Sequence, residues 1–398
     1  MKKKILFMTQ YLQTGGVERS LLSLLHELDY EMYEVDLLLF DYSGVLFSQI
    51  PREVNLLPPL YETFSMPLKK AVPQLIRGKQ YSLLAAKLFS ALAGRMSRGV
   101  GTAARWSVYR YTLHATEKMY DTAVSYLDFF CNYYVIEKVK AKRKIVYNHM
   151  DYHYSLGQGW PAPDLDGKVF AKSDSIVCVS ESAGDSLKQY FPEISSKVKV
   201  IPNRVSQAAI RRQAEESIEL KEEFEVGYTI VTVARLVEEK GIWEAVEACK
   251  MLVERGVPIR WYWIGDGPER RSLDDRVKED RLERFFHLLG EKANPYPYMK
   301  NSTVYVQPSR TEAHCVAVEE ALALGCPVVV TDISSFHGQI SNMETGVIAG
   351  SSPTGLADSI EQLCTSAKLR ISLKENVMRR NNQQLKKAHP LVDLLDGK

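Results

Sequence analysis

Ser309 to Asp332, SRTEAHCVAVEEALALGCPVVVTD, reads as a loop, a short helix and the start of a buried strand. VYVQPS before it alternates as a strand does, AVEEALALG closes as a helix at Gly325, and PVVV opens the next strand. Glu312 then falls in the loop and Glu320 inside the helix. The first-turn amides around His314 to Ala317, together with the helix dipole, form a site for a diphosphate, and carboxylates beside it can accept hydrogen bonds from sugar hydroxyls. A bare pair of glutamates is equally a solvated acidic face, so the pair alone decides nothing about chemistry.

Working outward, strand and helix alternate twice over. KILFMTQ is a buried strand, YLQTGG a loop, and VERSLLSLLHEL a helix with Val17, Leu21, Leu24, Leu25 and Leu28 at helical spacing. EVDLLLF, DTAVSYL, KIVYNHM, SIVCVS and KVKVIPN continue as parallel strands, which predicts an N-terminal doubly wound domain over 1–203. Residues 204–227 lack an apolar period and hold the acidic cluster EESIELKEEFE, so they read as a linker. TIVTVARL, IRWYWIGD, FFHLLG, TVYVQPS, PVVVTD and GVIAG are the strands of a second doubly wound domain, 228–380, with WEAVEACKMLVERG among its helices. Two such α/β domains predict a cleft, with ligands outside the carboxyl ends of the strands.

The 398 residues suffice for two full cores, and a formal net charge of +2 gives the whole chain no preference for nucleic acid. Six scattered cysteines without a CxxC pair predict reduced thiols, a cytoplasmic setting and no metal site. The apolar run behind Lys2-Lys3-Lys4 is too short for a signal peptide, and no window has the length of a membrane span.

Four loops at strand ends carry candidate residues. Gly15-Gly16 lets backbone approach a ligand at a helix start, or is only a turn. Asn148-His149-Met150-Asp151 follows KIVY, and His149 is either a cleft histidine or a strand-end residue bonded to backbone. After TIVTVA, Arg235 offers bidentate phosphate contact and Lys240 a mobile point charge; alternatively Lys240 pairs with Glu238 or Glu239 in a solvated turn. Asp266-Gly267-Pro268 reads as scaffold, with Gly265 and Gly267 permitting backbone approach.

The order GGVER, VSES, VIPN, VARLVEEKG, WIGDGPER, VYVQPSRTEAHCVAVEEALALGCPVV resembles the retaining glycosyltransferases of family 4, which have the GT-B fold. The likeness implies two Rossmann-like domains facing across a cleft. Position by position it implies that Gly15 and Gly16 approach the donor diphosphate and that Arg235 and Lys240 clamp it. It implies that Glu320 holds the ribose hydroxyls, that Glu312 lies beside the transferred sugar, and that His149 bonds a sugar hydroxyl, with His153 as the nearby alternative. The amide of Val316 completes the diphosphate site, and Ala313, His314 and Cys315 line the donor-sugar pocket. Ala313-His314 stands where many members have Gly-Phe or Pro-Phe, which leaves the donor sugar open. Residues 381–398 match the helix that returns to the first domain.

The implied activity is a retaining, metal-independent hexosyl transfer from a nucleoside-diphosphate sugar, with UDP as the expected carrier and no cofactor. The acceptor is a growing cell-surface polysaccharide or lipid-linked glycan. Between Met66 and Lys118 ten Lys or Arg face a single acid, Glu117, among Leu, Phe, Trp and Tyr, which predicts amphipathic helices with a basic face. Such a face can lie on the anionic inner surface of the plasma membrane, each basic residue adding about 1 kcal/mol. No nucleic-acid motif accompanies it. An epimerase or phosphorylase on the same architecture, and a non-catalytic partner subunit that binds glycan or a second transferase, are the other readings. The oligomeric state is left open by the sequence.

Overall fold

The apolar runs of the first half fold as one parallel sheet: Lys3–Thr9 (β1), Tyr33–Leu39 (β2), Asn55–Leu56 (β3), Tyr120–Ser125 (β4), Ala141–Asn148 (β5), Ser175–Cys178 (β6) and Val198–Val200 (β7). Their order is β3-β2-β1-β4-β5-β6-β7, every neighbouring pair parallel. Only β3 escapes the sequence reading, because two edge residues are too few to show alternation. In this computed structural model the described residues are 2–13, 15–94, 96, 98–218, 227–384 and 389–397. Gly16–Glu27 (α1) follows β1, and Leu68–Arg77 (α2), Tyr81–Ala93 (α3) and Arg98–Thr112 (α4) lie between β3 and β4. The inner face of α4 is aromatic: Trp106 and Tyr109 pack on Phe130 with ring centroids 6.3 and 5.7 Å away.

The second half repeats the plan. Gln207–Gln213 (α5) precedes Tyr228–Val233 (β8), Ile242–Glu254 (α6), Ile259–Ile264 (β9), Phe286–Gly290 (β10), Val304–Gln307 (β11), Val316–Leu324 (α7), Val328–Thr331 (β12) and Val347–Ala349 (β13). The sheet order is β10-β9-β8-β11-β12-β13, again parallel. Alternate strand residues serve two cores. Ile230, Trp261, Trp263, Val304 and Val306 pack on the α6 side, while Val231, Tyr262, Ile264, Tyr305 and Val328 pack on the α7 side. Helices therefore cover both faces, which is why these strands read as nearly continuous apolar runs.

The chain divides into two units, Met1–Asn203 with His389–Lys398, and Arg204–Ala388. The structure differs from the expected linker over 204–227, since α5 occupies its first half and buries Ile210 and Ala214 in the second unit's core. Ser206 caps that helix by accepting from Ala209 N–H, and an apolar stripe of two residues is too short to register as a period. Residues 219–226 of that stretch lie outside the described residues. Of 381–398, residues 381–384 end the helix Ala367–Gln384 (α8), and the short helix Leu391–Asp396 (α9) belongs to the first unit. Asp396 anchors it there, accepting from Lys3 Nζ at 2.8 Å and Tyr33 Oη at 2.9 Å.

The expected basic face of 66–118 is corrected in part. Four of its cations are engaged inside the first unit. Lys87 Nζ donates to the carbonyls of Thr63 and Phe64 at 2.7 and 2.6 Å, and Arg105 donates to Gly101 O at 3.1 Å. Arg110 pairs with Glu137, and Lys118 with Glu34 and Asp36. On α3 the one cation is Lys87, and it is buried. An ammonium on two carbonyls satisfies its charge better inside than a sequence-level count of cations foresees.

Asp166 is a buried carboxylate of the first unit with three donors: Tyr133 Oη at 2.6 Å, Tyr152 Oη at 3.0 Å and Ala162 N–H at 3.0 Å. Burial pushes it from the usual 3.8 up to about 6, although all three hydrogen bonds favour the charged form. Because the folded value lies above the unfolded one, the folded state binds more protons between about pH 4 and 6. Asp166 thus contributes stability below pH 4 that is lost as pH rises through 6, about 3 kcal/mol in all. Asp166→Asn should remove this slope. Between pH 4 and 8 the urea midpoint of wild type should fall relative to that of the variant; a constant gap across that range would refute the assignment.

Candidate functional site

In the second sheet the strand order reverses between β8 and β11, so the loops after these two strands flank the topological switch point where ligands bind in such sheets. The candidate cations and Glu312 lie on them. The backbone around Arg235 is held from both sides: Ala234 N–H donates to Ile264 O at 3.0 Å, Leu236 N–H to Asp266 O at 3.0 Å, and the Trp263 indole to Ala234 O at 2.8 Å. Gly265 (φ +144°) and Gly267 allow this approach, since a Cβ would stand 2.0 Å from Ala234 O at the first and 2.3 Å from Leu236 O at the second. The glycines of IGDGP are scaffold for Arg235. Its guanidinium is exposed and bonds to no described residue.

Lys240 ends a single turn, Glu238–Lys240, and Gly241 follows in the left-handed region at φ +69°. A Cβ on Gly241 would meet Pro308 O at 1.8 Å, so only glycine lets this turn lie against the loop after β11. Across that contact Lys240 Nζ reaches Glu312 Oε1 at 2.6 Å, with the side chains 19% and 10% exposed. Glu238 instead holds Arg310, which also pairs with Glu244 at 2.7 Å. The solvated-turn alternative for Lys240 is thereby removed.

Glu312 is fixed from its own side as well. Ser309 Oγ donates to Glu312 Oε1 at 2.9 Å, Gln307 Nε2 to Ser309 Oγ at 2.9 Å, and Tyr305 Oη to Gln307 Oε1 at 2.7 Å. Glu320 on α7 is 3% exposed and accepts from Tyr296 Oη at 2.8 Å. Neither glutamate belongs to a solvated acidic face.

At the start of α7 the free amides expected around His314 to Ala317 are fewer. Cys315 N–H donates to Gln339 Oε1 at 2.9 Å, and the amides of Ala317 and Val318 face the Cys315 thiol, which burial pushes well above its ordinary range. Val316 N–H, the first of the helix, has no acceptor among the described residues. Two side chains expected in the donor-sugar pocket turn inward. Cys315 packs in the core with Tyr305 and Val318, and the His314 ring is 5% exposed, 3.5 Å from Gln339 and 3.9 Å from Glu319. Gln339 causes both, because its amide grips Cys315 N–H and O and draws the turn into the unit. Ala313 stays half-buried in the loop.

The first sheet reverses order between β1 and β4, and its candidate residues gather at those strand ends. Gly15 is the N-cap of α1 with ordinary φ of −70°, so its conformation does not require glycine. A Cβ there would meet Glu18 Oε2 at 2.2 Å: the carboxylate of Glu18 already lies over the glycine turn. His149 ends β5. Its N–H donates to Asp128 Oδ1 at 3.1 Å, its Nδ1 lies 3.4 Å from Asp128 Oδ2, and its ring stacks on Tyr147 at 5.2 Å. His149 Nε2 is buried without a hydrogen-bond partner. His153, by contrast, is exposed on the next helix.

Asp128, Tyr296, Ser309 and Gln339 are site residues that the sequence reading missed. Only Ser309 stood in a motif; the others have isolated contexts, YLDFF, NPYPYMK and SFHGQI, without a spacing that could have flagged them.

Comparison with known proteins fits this layout. The model of Glycosyltransferase Family 4 matches residues 14–207, and that of Glycosyl transferases group 1 matches 213–380. The capsular polysaccharide biosynthesis glycosyltransferase CapM of Staphylococcus aureus is 28% identical over 166 residues, 40% of this chain and 42% of CapM. An N-acetylgalactosamine-N,N'-diacetylbacillosaminyl-diphospho-undecaprenol 4-alpha-N-acetylgalactosaminyltransferase of Campylobacter jejuni is 29% identical over 167 residues, 42% of this chain and 44% of that protein. The chain thus spans less than half the length of the curated relatives it matches. Anabaena Alr3699/HepE, solved in complex with UDP and glucose, superposes with a TM-score of 0.67 at 15% identity over 99% of this chain and 98% of that one. With one family domain matched in each unit, from residue 14 to 380 apart from a short break, the chain belongs to the family 4 glycosyltransferases and has their GT-B fold of two Rossmann-like domains.

Proposed function

We propose that the chain transfers a sugar from a nucleoside-diphosphate donor, UDP-linked, to a growing cell-surface polysaccharide or lipid-linked glycan precursor. The observation that carries this is the pairing of a cation unengaged among the described residues, Arg235, with the half-buried Lys240–Glu312 pair on the two loops at the second sheet's switch point. A diphosphate beside them meets two cations and the free N–H of Val316, which stabilise charge developing on the leaving group. These fixed charges do the work a divalent ion does elsewhere, and no cofactor is needed. The relatives acting on capsular polysaccharide and on a diphospho-undecaprenol acceptor, and the neighbour holding UDP and glucose, support the choice of donor and acceptor class.

The transfer proceeds with retention and on one face. The bond from the anomeric carbon to the phosphate oxygen breaks, the acceptor oxygen bonds to that carbon from the same side, and the acceptor proton passes to the departing phosphate. Glu312 lies beside the transferred hexose, Glu320 holds the ribose, and His149 bonds a sugar hydroxyl with Asp128 fixing its loop. The reaction takes place in the cytoplasm, on the inner face of the plasma membrane. No described helix is long and apolar enough to cross a membrane.

A panel of UDP-, GDP- and ADP-sugars in EDTA, followed by nucleotide release and thermal shift, tests the reading. Release from a UDP-sugar is expected; neither release nor stabilisation by any donor would shift the reading to a non-catalytic subunit. Arg235→Ala should leave the melting temperature unchanged, because its side chain is exposed and bonds to no described residue. It should weaken both UDP and pyrophosphate by roughly 10- to 100-fold, the worth of a hydrogen bond to a charged group. Glu320→Gln should weaken UDP while leaving pyrophosphate alone; equal losses on both ligands would contradict a ribose contact. Lys240→Met by itself leaves the half-buried carboxylate of Glu312 without its cation, so it is best combined with Glu312→Gln. The double variant should fold and fail to bind either ligand tightly.

A further inference from the structure

Fifteen large hydrophobic side chains are exposed among the described residues, and eight of them lie between Ile76 and Tyr111. The concentration follows from how α3 is turned. Its sequence, YSLLAAKLFSALA, has one charge, Lys87, and that charge is inside, on the carbonyls of Thr63 and Phe64. Tyr61 Oη donates to Leu83 O at 2.8 Å and fixes the helix from the same side. With Lys87 inward, Tyr81, Leu88, Phe89 and Leu92 face out, and Met96 and Val100 extend the face past the end of α3. A helix that buries its cation and exposes its leucines is reversed relative to a solvated surface helix.

The border of this face is cationic. Lys69, Lys70, Arg77 and Lys79 are exposed on α2 and on the turn into α3, and the side chain of none is bonded to a described residue. No acidic residue occurs between Met66 and Thr116, and Glu62, just before α2, accepts from Gln74. A second copy of the chain would suit such a face poorly: a two-fold interface sets the same patch against itself, and the cationic border would oppose its own charge.

We infer that the outward face of α3, bordered by these four cations, is a docking surface for an anionic lipid bilayer, into whose headgroup region Tyr81, Leu88, Phe89, Leu92, Met96 and Val100 insert. The insertion is interfacial, with the apolar face at the acyl boundary and the cations among lipid phosphates. This deepens the proposed transfer to a lipid-linked acceptor by naming the surface that carries the chain to it, and it rests on that reading only for its setting.

Co-sedimentation of the full chain with vesicles of phosphatidylcholine, and of an equimolar phosphatidylcholine and phosphatidylglycerol mixture, tests it. Wild type should bind the mixed vesicles at least about tenfold more tightly than the neutral ones, given about 1 kcal/mol per cation at the surface. The variants Leu88→Ser/Phe89→Ser/Leu92→Ser and Lys69→Gln/Lys70→Gln/Arg77→Gln/Lys79→Gln should each lose at least about tenfold of that binding. Both alter exposed positions, so melting temperature and release of nucleotide from soluble donor should stay at wild-type values. Vesicle binding unchanged in the triple serine variant would overturn the inference. So would a wild-type dimer that ignores vesicles and that the same variant converts to monomer, since the face would then belong to a second copy. Absence of donor release in wild type bears on the transferase reading alone, because vesicle binding is read without donor.

Discussion

The second unit's site depends on one ion pair, Lys240 with Glu312, drawn 2.6 Å apart across two loops that are 72 residues distant in sequence. A buried pair of this kind returns little net stability, because desolvating both charges costs about what their attraction returns. Its consequence is registry. It ties the turn after β8 to the loop after β11 at the point where the sheet reverses, and Gly241 against Pro308 is the steric half of the same contact. The pair also sets the electrostatics for any ligand. Lys240 is already neutralised by Glu312, whereas Arg235 bonds to no described residue, so the uncompensated positive charge at these strand ends is that of Arg235.

That division of labour explains why the two cations differ. A guanidinium held on a backbone clamped by Trp263 and the IGDGP turn offers a fixed fork, suited to a planar phosphate edge. The ammonium at Lys240 sits on a flexible stem and is held, among the described residues, by Glu312 alone. Glu18 poses a comparable question in the first unit, where its own carboxylate lies over Gly15 and would have to leave before an anion approached that turn.

The strands were legible because parallel strands covered on both faces must be apolar throughout: IVTV, WYWI and PVVV announce themselves. The loops that hold Arg235, Lys240 and Glu312 were legible too, since position after a strand is enough to nominate them. Side-chain direction was not. His314 and Cys315 were read as lining the donor-sugar pocket, and Gln339, 24 residues on from Cys315, holds their turn inward. A contact of that kind leaves no spacing in the sequence. The helix α5 was hidden for another reason, as two apolar residues beside an acidic run look like linker until the core that receives them is known.

The same distinction bears on 66–118. Counting ten cations against one acid describes composition, and composition pointed to charge as the feature of that surface. The fold reassigns it. Lys87, Arg110 and Lys118 bond to other parts of the first unit and Arg105 to its own helix, leaving a smaller set outside, while the inward ammonium of Lys87 leaves Leu88 and Leu92 of α3 toward solvent. The two carbonyl contacts of Lys87 hold its side of α3 inward, and an outward apolar face of this kind is the mark of an interaction surface.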